Sequence, residues 1–65
     1  MKIREIRVSK GISQRTLAKR IGVTQGAVFQ WENGLTWPSV PTLLKLADVL
    51  QCSTDELLGR KQFPQ

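Results

Sequence analysis

Only two residues, Gly22 and Val23, lie between the end of one short helical segment and the cap of the next. That spacing restricts the chain to folds in which two helices meet at a sharp angle. Ser13 offers an N-cap oxygen to a segment whose Leu17, Ala18 and Ile21 share one face, and Gly22 stops it. Thr24 is again a cap residue, after which Val28 and Trp31 repeat at three residues until Asn33-Gly34 supplies a stop. Glycine enters positive φ without steric penalty, which the bend asks of Gly22, and the small side chain of Ala18 lets the two helices pack closely. The chain has 65 residues, enough for one small domain, and a domain of that size buries only about 60% of the surface its unfolded chain exposes.

The remaining segments supply the rest of an all-α domain. Residues 2–10 are helix-compatible, with Ile3, Ile6 and Arg7 at spacings of three and four, and Gly11 stands at the C′ position. Pro38 marks residues 35–38 as a loop; Ser39 then caps a fourth helix, whose Pro41 falls in the first turn and whose Leu43, Leu46, Ala47 and Leu50 form one apolar face. Ser53 and Glu56 make a capping box for a short fifth helix that Gly59 ends. The pattern predicts a five-helix domain over residues 1–59 and a flexible tail, or a truncated linker, over 60–65.

Several function classes are excluded early. Cys52 is the single cysteine and there is no histidine, so the chain has neither a zinc framework nor a Cys/His catalytic pair, and no metal site is expected. Cys52 reads as a small core residue. The carboxylates after residue 30 are scattered, no small-molecule ligand or cofactor is evident, and an enzyme is not expected. No apolar run approaches the roughly 20 residues of a membrane span, and Lys2, Arg4, Glu5 and Arg7 occupy the place of a signal-peptide apolar region, so a cytoplasmic protein is expected.

Charge narrows the partner. Ten Lys and Arg against five Asp and Glu give a net charge of +5. Residues 1–20 carry seven basic side chains (Lys2, Arg4, Arg7, Lys10, Arg15, Lys19 and Arg20) against Glu5 alone, whereas residues 21–59 carry only Lys45 against four acids. A basic domain of this polarity suits a polyanion, nucleic acid first and an anionic membrane surface second. The second is disfavoured because the basic residues do not form one continuous amphipathic helix.

Two short helices joined by a tight turn containing glycine form a helix-turn-helix, whose second helix enters the DNA major groove. The run Ile12-Ser13-Gln14-Arg15-Thr16-Leu17-Ala18, followed by Gly22-Val23-Thr24-Gln25 and Trp31-Glu32-Asn33-Gly34, closely resembles the XRE family, which includes the lambdoid phage repressors and Cro proteins. The resemblance covers residues 2–59. It implies a five-helix bundle of the lambda-repressor-like type and a sequence-specific transcriptional regulator, more often a repressor. Such a protein reads a two-fold symmetric double-stranded DNA operator as a homodimer. By position, Gln25 and Gln30 resemble base-reading residues, Gln14 resembles the glutamine that touches phosphate and braces the first residue of the recognition helix, and Thr24 resembles a phosphate contact. Chemistry agrees, since a glutamine amide pairs bidentately with adenine N6 and N7 and helix N-termini attract phosphate.

Two positions depart from the family pattern. Gly26 stands where relatives often place a second base-reading side chain, so that base is either unread or approached by backbone. The loop Leu35-Thr36-Trp37-Pro38 lacks the Lys or Arg that relatives often carry there, which moves phosphate anchoring to Arg15, Lys19, Arg20 or Lys10. Trp37 is either a lid on the core or an exposed aromatic for a partner, and Phe29 either packs partly or meets a thymine methyl. Arg7 and Glu32 share the inward faces of Ile3 and Val28 at i+4, and the family contains an Arg–Glu ion pair at matching positions, which implies a structural pair. The rival reading is a protein-interaction module, such as an antitoxin or assembly factor, that uses Leu35 and Trp37, with Phe63 in the tail, as its partner surface.

Overall fold

A computed structural model describes residues 1–59, so the expected tail over 60–65, with Phe63, lies outside the described residues. Five helices follow one another: α1 (Ile3–Ser9), α2 (Gln14–Ile21), α3 (Gln25–Glu32), α4 (Val40–Leu50) and α5 (Thr54–Leu58). Each of the last four begins at a hydroxyl cap that accepts a backbone N–H: Ser13 from Thr16, Thr24 from Ala27, Ser39 from Thr42 and Ser53 from Glu56. The Ser53–Glu56 capping box is closed in both directions. The first helix has no side-chain cap and is shorter than its sequence pattern, with Lys10 at its C-cap.

The bend between α2 and α3 takes the form its residues dictate. Gly22 lies at φ 86°, and the N–H groups of Gly22 and Val23 both donate to the Ala18 carbonyl, at 2.9 and 3.0 Å. Folding α3 back in this way brings Val28 and Trp31 onto Leu17, Ala18 and Ile21, and Ile3, Leu46, Leu50 and Leu57 complete the buried cluster. Helix α2 sits centrally, packed on α3 and α4; α5 packs on α4, and α1 on α3. The N–H of Lys2 donates to the Leu57 carbonyl at 2.8 Å, which holds the start of α1 to the end of α5. Cys52 is half-buried against the core, and burial, with the nearby Glu56 charge, pushes its thiol pKa up.

Trp37 does not cover the core. It is 67% exposed, with Leu35, Val40 and Leu44 also open, and the tryptophan of the buried cluster is Trp31. Phe29 is half exposed, off the face that Val28 and Trp31 bury.

One buried feature is ionic. The Glu32 side chain has no solvent exposure and that of Arg7 only 12%. Arg7 Nε donates to Glu32 Oε2 at 2.7 Å and Nη2 to Oε1 at 3.3 Å, while Nη1 donates to the Ile12 carbonyl at 2.8 Å. Arg4 Nε, more exposed, lies 3.4 Å from Oε1. Burial alone would raise the Glu32 pKa; the hydrogen bonds from Arg7 and Gln14, the Arg7 charge and Arg4 outweigh it and hold the pKa below the usual glutamate value.

Three stability predictions follow from these contacts. Glu32→Ala strands the Arg7 guanidinium and should cost about 3–5 kcal/mol in urea unfolding, whereas replacing Arg7 and Glu32 together by Met and Leu should cost much less. Because the folded pKa of Glu32 lies below its unfolded value, the pair's stabilisation is complete above about pH 4.3 and is lost as pH falls through the folded value. Glu32→Gln should therefore flatten the stability profile below pH ~4.3, measured by melts across an acid series. Gln51, the non-glycine residue at positive φ (54°) among those described, ends α4 in a conformation that disfavours a side chain. Gln51→Gly should stabilise by roughly 0.5–1 kcal/mol, the relief of left-handed strain less the added chain entropy, and raise Tm by a few degrees.

Candidate nucleic-acid interface

Helix α3 turns Val28 and Trp31 into the core, which leaves Gln25, Gly26, Phe29 and Gln30 on its open face, two pairs at i and i+4. At its first turn Thr24 Oγ1 accepts the Ala27 N–H at 3.1 Å, so the preceding N–H groups of the helix point outward without an intrahelical partner. The first turn of α2 is built alike, with Ser13 Oγ accepting the Thr16 N–H at 3.0 Å.

The two helix starts are brought together by side chains. Gln14 Nε2 donates to the buried Glu32 Oε1 at 3.0 Å, and Gln14 Oε1 lies 3.5 Å from Gln25 Nε2. Gln14 is therefore partly buried between the last residue of α3 and the first, so the side chain that opens α2 reaches both ends of α3. A helix N-terminus with free N–H groups suits phosphate oxygens, and the exposed α3 face carries amides that both donate and accept.

Lys10, Arg15, Lys19 and Arg20 are all exposed, and Arg15 and Lys19 share one face of α2 at i and i+4. Gln30 is held at the far end of α3, where Thr36 Oγ1 donates to its Oε1 at 3.4 Å. Gly26 has an ordinary helical backbone, and a Cβ there would meet only Thr24 Oγ1 at 3.9 Å. The geometry thus gathers Gln14, Thr24, Gln25 and Gly26 at the paired helix starts, with Gln30 farther along the same face and Leu35 and Trp37 beyond it. Among the described residues no cluster of potential ligands could hold a metal ion, and no helix is long and apolar enough to cross a membrane.

Sequence reading did not foresee that Arg4 and Gln14 would join the Arg7–Glu32 pair. The signal for Gln14 was its place as the first residue of α2, but its hydrogen bond to Glu32 spans 18 residues and appears only when α3 folds back.

Comparison with known proteins agrees with this geometry. A profile described as helix-turn-helix matches residues 3–57. Repressor protein C2 of Salmonella phage P22 is 44% identical over 57 residues, which cover 88% of this chain and 26% of that protein. The uncharacterized HTH-type transcriptional regulator YazB of Bacillus subtilis is 38% identical over 56 residues, 86% of this chain and 81% of the relative. The crystal structure of the P22 c2 repressor in complex with a synthetic operator superposes with a TM-score of 0.82 at 43% identity, covering 86% of this chain and 85% of that one. The chain thus spans about a quarter of the P22 protein and most of the Bacillus one. With α2, the Gly22 turn and α3 in place and the match running through nearly all of the described residues, the chain belongs to the helix-turn-helix family, in its XRE branch.

Proposed function

We propose that this chain is a sequence-specific DNA-binding transcriptional regulator, a repressor, that places α3 in the major groove and binds a two-fold symmetric operator as a homodimer. The side-chain link from Gln14, at the start of α2, to Gln25, at the start of α3, carries the reading, because it places an exposed amide at the leading end of α3, where the free N–H groups of a helix start suit phosphate. The operator-bound structure named above supports it. In this reading Gln25 and Gln30 contact bases and the bare backbone at Gly26 approaches them. Gln14 through the free backbone N–H at the start of α2, Thr24, Arg15, Lys19 and Lys10 hold phosphates, and Phe29 meets a thymine methyl. No catalytic step is involved, and the protein works in the cytoplasm or nucleoid, where operator DNA lies.

A second reading has one observation in its favour. Leu35, Trp37, Val40 and Leu44 are each more than half exposed, a surface suited to a protein partner, so a binding module of antitoxin or assembly type uses the same fold. Selection from random duplexes separates the two: the regulator enriches a symmetric site with half-sites about 34–36 Å apart, whereas the binding module enriches none.

Base and phosphate contacts should differ in kind. Gln25→Ala should lose roughly 1–3 kcal/mol on the selected site and relax preference at one base pair per half-site. Arg15→Gln or Lys19→Gln should weaken all duplexes alike and lower the slope of log K against log salt by about one unit for each lost phosphate contact. Titrations of matched and substituted duplexes at several salt concentrations check both, and equal loss of specific and non-specific affinity in Gln25→Ala would remove its base-reading role.

A further inference from the structure

The hydrogen bonds that link Glu32 to Gln25 through Gln14 have a direction, and chemistry fixes it. An ionised carboxylate accepts only. Glu32 Oε1 receives Gln14 Nε2 at 3.0 Å, so the Gln14 amide must turn its nitrogen inward and, being planar, its oxygen outward. That oxygen faces Gln25 Nε2 at 3.5 Å, the outer limit of a hydrogen bond, and as an acceptor it engages one of the two Gln25 N–H groups. Gln25 keeps its own oxygen and its second N–H for anything that approaches from outside. These are the acceptor and donor that adenine N6 and N7 require. A reversed Gln14 amide would instead donate to the Gln25 oxygen, occupying one of its two lone pairs and leaving both N–H groups free, so that guanine O6 and N7 are matched as well.

We propose that the buried Glu32 carboxylate is a positioning residue for base recognition: through Gln14 it sets the hydrogen-bond polarity with which Gln25 meets a base, and so favours adenine over guanine. Glu32 does this without touching DNA, since its side chain is wholly enclosed. The proposal rests on the reading of α3 as the groove-entering helix. It gives the Arg7–Glu32 pair a second task, because Arg7 keeps the carboxylate ionised and fixed while Gln14 uses its remaining acceptor capacity.

The test compares wild type, Gln14→Met and Glu32→Gln on the selected duplex and on all its single-base-pair variants. The base pair read by Gln25 is the one whose preference Gln25→Ala abolishes. Gln14→Met leaves the ion pair intact and removes the relay; Glu32→Gln keeps the shape and lets the Gln14 amide take either orientation. In both, the preference for A·T over G·C at that base pair should fall about tenfold, with preferences at other base pairs unchanged. In a Gln25→Ala background neither substitution should alter that preference further. A role confined to stability would weaken every duplex in proportion, and that outcome overturns the proposal, as does a folded Gln14→Met variant that keeps the wild-type preference, or a wild type that does not prefer A·T there. Should Glu32→Gln fail to fold in a urea melt, Gln14→Met decides alone. A wild type that enriches no sequence overturns the regulator reading itself, and is seen before any variant is made.

Discussion

A carboxylate taken out of water has to be neutralised where it lies, and in this domain that requirement joins three helices at one point. Glu32 closes α3, Arg4 and Arg7 come from α1, and Gln14 opens α2. Arg7 meets the carboxylate with two nitrogens and spends the third on the Ile12 carbonyl, so the same guanidinium fixes α1 against α3 and holds the link between α1 and α2. Ion pairs of this kind contribute little net stability compared with apolar residues of the same volume, because desolvation offsets most of the attraction. What they do supply is geometry: an apolar replacement would fill the space, but it would not dictate which way the Gln14 amide points.

Much of the architecture is legible because it is written in local chemistry. Ser13, Thr24, Ser39 and Ser53 each satisfy an N–H three residues on, and such caps depend on neither partner helix nor core. Gly22 is legible for the same reason, as a bend this tight calls for positive φ. The end of α4 was not legible, because Gln51 adopts a left-handed conformation for which its side chain gives no signal. At the candidate site the individual residues could be picked out, and the family resemblance implied that Gln14 braces Gln25 and that Arg7 pairs with Glu32, but the link from Gln14 to Glu32 was not legible. Gln14 and Glu32 are brought together by the α2–α3 bend, and no spacing rule relates a first helical residue to a last one.

Where a residue faces nothing within the domain, the fold gives it no internal reason. Gly26 shows this: its backbone is ordinary, space for a Cβ is free, and glycine within a helix costs up to about 1 kcal/mol relative to alanine. The exposed Trp37 is its apolar counterpart, a large aromatic whose burial would be favourable and for which the closed core has no room. Both lie in or just beyond the α3 surface, where what the domain meets, rather than how it folds, sets the preference.

The buried pair also shapes the field that a polyanion meets. Among residues 25–32 the only charge is Glu32, and an exposed carboxylate at the end of a helix proposed to enter a DNA groove would repel phosphate. Enclosing it between Arg7 and Gln14 removes that repulsion, so the open α3 face presents amides, a bare backbone and an aromatic ring, with no ionised acid. The remaining acids sit on α1, α4 and α5, while Lys10, Arg15, Lys19 and Arg20 lie exposed on or beside the helix that leads into the bend. One enclosed interaction therefore serves two ends: an ionic anchor for the core, and an open α3 face without negative charge, as the proposed DNA-binding role requires.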